Sequence, residues 1–170
     1  MHLPDFLKDD WMKEIEIRLT INEDTPVLLE IIHAAYAPLE SILGRKPRGL
    51  RETDDGLQER IEKKTLYSVL LKDELIATFT LARSRQYELM EISKVAIHPD
   101  NQNKGLGTFV MESAEQLVRL MEEKNVYVQT YADNEQLVNF YLHRGYKIFR
   151  KRVIRGNMIM HMEKKLWRED

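Results

Sequence analysis

The stretch from Val95 to Leu117 constrains the fold of this chain more than any other part of the sequence. An apolar segment with strand-like alternation ends at Pro99, a short polar loop follows, and Gly105 and Gly107 then open an amphipathic helical pattern. A loop that enters a helix in this way leaves a row of free backbone N–H groups at the helix N-terminus. Such a row binds phosphate, and glycines let the backbone approach it closely. This stretch therefore predicts an anion site.

The spacing of the glycines excludes the two common nucleotide-binding loops. Lys104 precedes its glycine, so the Gly-x-x-x-x-Gly-Lys-Ser/Thr loop of nucleotide triphosphatases is absent. Val110 stands where a third glycine would complete Gly-x-Gly-x-x-Gly, so a dinucleotide-binding domain is not predicted. Two alternatives remain open, which are another kind of phosphate loop and a tight strand-to-helix turn that binds nothing.

Hydrophobic periodicity predicts one domain over residues 1–170, of the α/β class with a mixed, α+β-like sheet. The predicted strands are 14–19, 67–71, 75–81, 89–97, 126–131, 146–153 and 158–162. The predicted helices are 25–39, 53–61, 108–124 and 133–142. The strand–helix–strand–helix order over 89–142 implies a parallel pair, while hairpins imply antiparallel pairs elsewhere. Helices are therefore expected on both faces of the sheet.

Several local features follow from individual residues. The turn at 72–74 lacks glycine, which predicts a hairpin loop of three residues or more. Asp133 and Gln136 are predicted to form a capping box, and Gly145 to end the same helix. Met121 is placed on the buried face of the helix at 108–124, and Met12 on the surface of the domain.

Composition excludes several kinds of site. With no cysteines, the chain has no disulfide, no thiolate metal site and no cysteine nucleophile. The five histidines lack metal-ligand spacing, and no Gly-x-Ser-x-Gly elbow of a serine hydrolase occurs, so no metal is predicted. A net charge of −2 argues against a nucleic-acid partner. The basic loop at 45–51 either meets an acidic substrate group or the phosphates of a cofactor, or is a solvated connection.

The sequence also predicts a cytoplasmic location and no membrane partner. Residues Met1–Asp5 have neither the basic nor the apolar region of a secretory signal. No apolar run approaches the length of a membrane span.

Two motifs resemble those of the GNAT superfamily of N-acyltransferases. Its acetyl-CoA loop reads Arg/Gln-x-x-Gly-x-Gly/Ala after an apolar-x-apolar-x-Pro strand end, and residues 102–107 and 95–99 fit this pattern. Its later helix begins near an asparagine, carries a tyrosine seven residues on, and is followed by Gly-Phe/Tyr. Asn134, Tyr141 and Gly145-Tyr146 match these positions. The two motifs occur in the order that the family requires.

The resemblance covers residues 67–163 and implies a mostly antiparallel sheet of about seven strands. This sheet would splay between the strands at 89–97 and 126–131, where the pantetheine arm of the cosubstrate acetyl-CoA would lie. The residues implied to bind acetyl-CoA are Val95, Ala96, Ile97, Gln102, Asn103, Lys104, Gly105, Leu106, Gly107, Thr108 and Asn134.

The implied reaction is acetyl transfer to a primary amine by direct attack in a ternary complex. Because an ammonium must lose a proton before it attacks, a carboxylate is needed, and Glu91 is the candidate base. Strand alternation would place it on the face of Ser93 and Val95. Glu88 and Glu16 are weaker candidates, and Glu91 as an ordinary surface carboxylate stays open. The backbone N–H of Ile97 would stabilise the oxyanion, and Tyr141 would protonate or hydrogen-bond the thiolate of CoA.

Three functional classes follow. The first is an acetyl-CoA-dependent N-acetyltransferase acting on a small-molecule, peptide or protein amine. The second is an acyl-CoA-binding sensor or regulatory module of the same fold without efficient catalysis, and the third is an interaction protein with no ligand. A homodimer is an expectation taken from the resemblance alone.

Overall fold

The structure, a computed structural model, describes residues 10–167 and has a seven-stranded sheet at its centre. The strands are β1 (Ile15–Leu19), β2 (Leu66–Leu71), β3 (Glu74–Arg83), β4 (Met90–Ile97), β5 (Asn125–Tyr131), β6 (Lys147–Ile154) and β7 (Asn157–Lys165). Their order across the sheet is β1-β2-β3-β4-β5-β7-β6, and only β4 and β5 are parallel neighbours. The predicted mixed, mostly antiparallel sheet is confirmed. The expected lack of a secretory signal concerns residues 1–5, which lie outside the described part.

Five helices flank the sheet: α1 (Thr25–Tyr36), α2 (Leu39–Leu43), α3 (Asp54–Glu62), α4 (Leu106–Leu120) and α5 (Glu135–His143). The single helix predicted over 25–39 is wrong, since the chain breaks between Tyr36 and Leu39. Pro38 causes the break, because it has no N–H to donate and its ring obstructs the preceding turn. None of the helices in residues 10–167 is long and apolar enough to cross a membrane.

Two apolar clusters cover opposite faces of the sheet. The larger joins α4 and α5 to the sheet through residues that include Ile92, Phe109, Val110, Ala114, Val118, Val126, Val128 and Tyr141. The smaller joins α1 and α3 to the sheet through Leu28, Ile31, Ile32, Leu57, Leu66 and Ala96. Each fully buried aliphatic side chain of this size stabilises the fold by about 1.5–3 kcal/mol. Helices on both faces, as predicted, therefore hold the sheet between two cores.

The hairpin between β2 and β3 turns in two residues, so the predicted longer loop is wrong. Leu71 pairs with Glu74, and the intervening Lys72 and Asp73 have φ of +49° and +67°. Positive φ at both positions gives a type I′ turn, whose twist matches that of the flanking strands. The register of the hairpin thus imposes a left-handed backbone even without glycine.

Three further local predictions also fail. α4 ends at Leu120, so Met121 is 45% exposed instead of buried. Asn134 caps α5 without a side-chain bond, which rules out the predicted capping box at Asp133. Met12, at 6% exposure, belongs to the larger cluster and not to the surface. In each case the packing of neighbouring elements decides what a short sequence pattern leaves undetermined.

Candidate active site

The parallel strands β4 and β5 pair only at their beginnings. Met90 pairs with Val126 and Glu91 with Tyr127, and beyond these residues the strands separate. Their carboxyl halves enclose a wedge-shaped opening in the sheet, here called the V gap. Ligands in open α/β sheets bind at the carboxyl ends of strands where neighbouring strands diverge. The gap is therefore the candidate site, and the residues around it define what it can do.

A β-bulge in β4 determines which side chains lie on each side of the gap. Lys94 and Val95 together stand opposite Phe79, and Lys94 has a φ of +50°. The extra residue reverses the alternation of side chains along the strand. Glu91 and Ser93 remain on one face, while Val95 packs against the larger cluster on the other. The expectation that Glu91 and Val95 share a face is therefore wrong.

Two side chains bond to carbonyl groups of β4 beside the gap. The Tyr36 hydroxyl donates to the Val95 carbonyl at 3.2 Å, and the Gln102 amide Nε2 donates to the Ile97 carbonyl at 3.0 Å. Burial raises the pKa of Tyr36 to about 12, so its hydroxyl stays protonated at neutral pH. Sequence reasoning gave Tyr36 no functional role. The backbone of Ala96, by contrast, pairs with Thr78 of β3.

The turn into α4 provides the predicted row of free donors. Gly105, with φ of +81°, is the N-cap residue, and no side chain caps the helix. Within residues 10–167, the backbone N–H groups of residues 103–108 form no hydrogen bond with the protein. They stand at the positive end of a 15-residue helix, where the dipole favours an anion. The exposed Lys104 adds a charge beside them.

Helix α5 holds Tyr141 against the α4 side of the sheet. At its end Gly145 has φ of +91°, and the Tyr146 N–H donates to the Tyr141 carbonyl at 3.1 Å, which confirms the predicted helix stop. The Tyr141 ring is buried edge-on against Tyr146, with ring centroids 5.4 Å apart. Burial raises the pKa of Tyr141 far above its ordinary value, and the nearby Tyr36 adds to this. Tyr141 is therefore a neutral phenol that can donate a hydrogen bond.

Glu91 lies on the opposite face of the sheet from Tyr141. Its carboxylate accepts a hydrogen bond from Gln129 Nε2 at 2.9 Å. Burial raises the pKa of the Glu91 carboxyl above its ordinary value, although the bond from Gln129 and the charges of Arg48 and Lys94 oppose the rise. A carboxylate with a raised pKa accepts a proton from an ammonium more readily.

The other two carboxylates lie less well for this role. Glu16 belongs to β1, at the far edge of the sheet, three strands away from β4. Glu88 is exposed in the connection that leads into β4. Neither lies on a strand that borders the gap, so Glu91 is the candidate base with the best placement.

The connection between α2 and α3 packs closely on α1. A Cβ atom on Gly49 would lie 2.2 Å from Cγ of Tyr36, so this position accepts only glycine without movement. Next to it, the Arg48 N–H lies 3.4 Å from the Tyr131 hydroxyl at the end of β5. The connection therefore stands over the α1–α3 side of the V gap, with Tyr36 as its support.

Replacing Gly49 by alanine is expected to destabilise the protein by about 1–3 kcal/mol, because the new methyl group overlaps the Tyr36 ring. Urea denaturation of both proteins measures the effect. In a Tyr36→Leu background the same replacement should cost less, since the smaller side chain relieves the overlap. Equal costs in the two backgrounds would contradict the proposed contact.

One surface hollow lies away from the V gap. It has a volume of about 460 Å³ and is lined by residues of α4, α5 and β7. In this hollow the buried Glu115 accepts from Arg144 and Lys164 at 3.2 and 3.0 Å. This network joins the two helices and is best explained as structural. Among residues 10–167, no cluster of three histidine, aspartate or glutamate side chains suits a metal ion.

The predicted site residues outside β4 and at its start thus lie at several positions around the gap. Residues 102–108 form the turn at the start of α4, Tyr141 lies on the side of the larger cluster, and Glu91 lies on the other side. Asn134 stands where β5 leads into α5. An anion-binding turn, a protonated phenol and a buried carboxylate suit a reaction that moves protons beside an anionic ligand.

Comparison with known proteins identifies a family for this chain. Residues 29–146 match the model of the Acetyltransferase (GNAT) family. An amino-acid acetyltransferase from Mannheimia succiniciproducens is 26% identical over 136 residues, which cover 78% of this chain and 27% of that protein. The chain thus spans only about a quarter of the length of this curated relative.

Two solved structures share the fold. The paia N-acetyltransferase from Thermoplasma acidophilum, in complex with coenzyme A, superposes with a TM-score of 0.73 at 19% identity, covering 89% of this chain and 98% of that one. The ribosomal-protein-S18-alanine N-acetyltransferase from Escherichia coli gives a TM-score of 0.72 at 14% identity, covering 92% and 96%. At these identities the likeness establishes the fold.

Proposed function

Because the chain belongs to the acetyltransferase (GNAT) family, we propose that it transfers the acetyl group of acetyl-CoA to a primary amine by direct attack in a ternary complex. The observation that carries the proposal is the V gap, where β4 and β5 part beside the free N–H row of α4. A thioester held in such a gap is accessible from both faces of the sheet. The relatives named above act, by their names, on amino acids and on a protein alanine, and we propose an amine acceptor of small-molecule or peptide type.

The residues at the start of α4 fit the anionic end of acetyl-CoA. The free backbone N–H groups of residues 103–108 would hold the pyrophosphate, with Lys104 as an added charge. The Gln102 N–H is not available for this, because it donates to the Pro99 carbonyl at 3.3 Å. Val95 and Ile97 would line the pantetheine arm, and Ala96 and Asn134 complete the proposed binding set. Acetyl-CoA supplies an acetyl group that its thioester activates toward nitrogen. No metal is part of the proposal.

Glu91 takes the role of general base. It would accept one proton from the ammonium form of the acceptor, which frees the nitrogen lone pair for attack on the thioester carbonyl carbon. Gln129 keeps the carboxylate oriented through its hydrogen bond. Since Glu91 lies on the α1–α3 side of the sheet, the acceptor is expected to enter from that side.

Ile97 and Tyr141 complete the proposed mechanism from the other side. The backbone N–H of Ile97 would donate to the carbonyl oxygen as negative charge develops on it. The Tyr141 phenol would donate to the sulfur as the C–S bond breaks and the C–N bond forms. One proton leaves the nitrogen to give the amide and one is taken up by the thiolate, so the net reaction releases the proton first taken by Glu91.

Replacing Tyr141 by phenylalanine is expected to lower kcat by roughly 10–100-fold, because the leaving sulfur loses its hydrogen-bond donor. The Kd for acetyl-CoA, measured by calorimetry, should change by less than about twofold. Tyr67→Phe is the matched control. Tyr67 lies on β2, two strands away from β4, and its ring stacks on Phe79. A kcat unchanged by Tyr141→Phe would contradict the role given to its hydroxyl.

The test of the proposed function is release of free thiol from acetyl-CoA in the presence of a panel of amines. The alternative, an acyl-CoA sensor of the same fold, requires tight binding with no thiol release. We place the protein in the cytoplasm, because acetyl-CoA is available there and a chain without cysteines has no need of an oxidising compartment.

A further inference from the structure

Five cationic side chains converge beside the V gap on its α1–α3 side. Four of them lie in the connection between α2 and α3, and the fifth lies in the turn between β6 and β7. Together with Tyr131 they line one groove, here called the basic groove: Arg45, Lys46, Arg48, Arg51 and Arg155.

None of these five cations forms an ion pair with a carboxylate in the described part of the chain. Some other cations of this protein do have carboxylate partners. Arg60 and Lys94 share Glu52, and Arg144 and Lys164 share Glu115. Five neighbouring positive charges that form no ion pair repel one another and attract anions. The groove therefore has the electrostatics of an anion-binding surface.

The groove is built from contacts that fix its two walls. Arg45 Nη2 donates to the Ile154 carbonyl at 2.8 Å, and its Nε donates to the side chain of the buried Asn157. Arg51 Nη2 donates to the Lys46 carbonyl at 3.3 Å. The two bonds of Arg45 join the α2–α3 connection to the β6–β7 turn, and the bond of Arg51 lies within the connection. The groove is thus a formed part of the fold, not a set of separate surface arginines.

The position of the groove connects it with the acceptor and not with the proposed site for the cofactor phosphates. It lies with α1 and α3, whereas the free N–H row belongs to α4 in the larger cluster on the opposite face. Within the groove, the Arg48 N–H lies 3.4 Å from the Tyr131 hydroxyl. Two residues earlier on the same face of β5, Gln129 donates to Glu91 at 2.9 Å. A ligand bound here would therefore have part of its structure close to the proposed base.

We propose, building on the acetyltransferase function, that the acceptor is a small amine that also carries a carboxylate or a phosphate, and that the basic groove binds this anionic group. The guanidinium groups match both anions in shape and donate two parallel hydrogen bonds to each. Binding the anion in the groove places the amine toward Glu91, which receives its proton. Charge attraction also speeds the encounter with an anionic acceptor.

The test compares matched acceptors at saturating acetyl-CoA. β-Alanine is paired with propylamine, and O-phosphoethanolamine with ethanolamine, so that each pair differs by one anionic group. The kcat/KM of the anionic member is expected to exceed that of its neutral partner by roughly 10-fold or more. The two pairs distinguish a carboxylate from a phosphate. Equal or higher kcat/KM for both neutral amines, or for spermidine, would overturn the proposal.

Variants of the basic groove test whether its arginines cause the preference for anionic acceptors. The double variant Arg51→Gln/Arg155→Gln should raise KM for the anionic acceptor by about 10-fold and leave the neutral one unchanged. Arg51→Glu/Arg155→Glu should reverse the order of the pair. Arg83→Gln is the control. Arg83 forms an ion pair with Glu123 and stands opposite Met90, at the start of β4 and away from the basic groove. An unchanged KM in the double variant, or a loss of acetyl-CoA binding in its place, contradicts the proposal.

The same groove can be tested without turnover. If no amine releases thiol, the acetyltransferase function fails, and N-acetyl-β-alanine and inorganic phosphate are then titrated by calorimetry into the CoA-bound protein. Saturable binding that Arg51→Gln/Arg155→Gln abolishes would support the anion site on its own. No saturable binding of either probe would overturn it.

Discussion

Replacing Glu91 by glutamine is expected to lower kcat by roughly 100-fold or more, because an amide cannot take the proton of the acceptor ammonium. Gln129 can still donate to the new side chain, so the local structure should persist. Steady-state thiol release measures kcat, and calorimetry checks that the Kd for acetyl-CoA is unchanged. Glu88→Gln, in the exposed connection before β4, is the matched control and should leave kcat unaltered.

The kcat/KM of the wild type and of Glu91→Gln should depend differently on pH. Burial raises the pKa of the Glu91 carboxyl, so the base is lost by protonation at a pH above the ordinary carboxyl value of 4.5. The acid limb of kcat/KM in the wild type should therefore lie above pH 4.5 and be absent from Glu91→Gln. A wild-type profile without this limb, or a variant with full kcat, would remove Glu91 from the mechanism.

As pH rises, kcat/KM should increase while the contribution of Glu91 to the stability of the fold decreases. A carboxyl whose pKa is raised by folding contributes stability that is present below its unfolded pKa and is lost as pH rises through its folded pKa. Glu91→Gln has no such loss, so its melting temperature relative to wild type should increase from pH 4 to pH 7. A cost in stability at the position of the base is typical of functional carboxylates.

Replacing Thr108 by glutamate is expected to weaken acetyl-CoA binding on the order of 100-fold, since the new charge lies beside the proposed pyrophosphate site. Thr108 is the third residue of α4, where an acidic side chain favours the helix dipole. The same variant should therefore be as stable as the wild type, or more stable by about 0.5 kcal/mol. Opposite effects on binding and folding separate loss of a ligand contact from damage to the fold.

Calorimetric titration with acetyl-CoA gives the affinity, and thermal unfolding gives the stability. The neutral variant Thr108→Gln controls for the size of the side chain and should bind acetyl-CoA nearly as the wild type does. If Thr108→Glu binds acetyl-CoA with unchanged affinity, the pyrophosphate does not lie at the start of α4. Gly105 and Gly107 would then be explained as a tight turn.

The elements around the V gap were largely predictable because their signals are local. Pro99, the two glycines and the periodicity of α4 predict a strand, a turn and a helix in that order, and Gly145 predicts where α5 ends. The open gap itself followed from the family resemblance, since residue periodicity does not reveal where two parallel strands separate.

What the sequence did not reveal depends on contacts between distant residues. The bulge at Lys94 arises from the pairing of β4 with β3, and it reverses the side-chain faces expected from alternation. Tyr36 reaches Val95 from α1, 59 residues earlier in the chain. Arg155 joins the loop at 45–51 only because the β6–β7 turn folds beside it. Each of these features needs the tertiary structure to become visible.

The measurement that tests the central claim most directly counts two products of one reaction. Purified protein is incubated with acetyl-CoA and β-alanine, O-phosphoethanolamine, propylamine and ethanolamine in turn. Free thiol is followed by absorbance and N-acetylated amine by mass spectrometry. Acetyl transfer predicts free thiol and N-acetylated amine in a 1:1 ratio, with both lost in Glu91→Gln. Saturable acetyl-CoA binding with no acetamide from any of the amines would contradict the account and favour a sensor of the same fold.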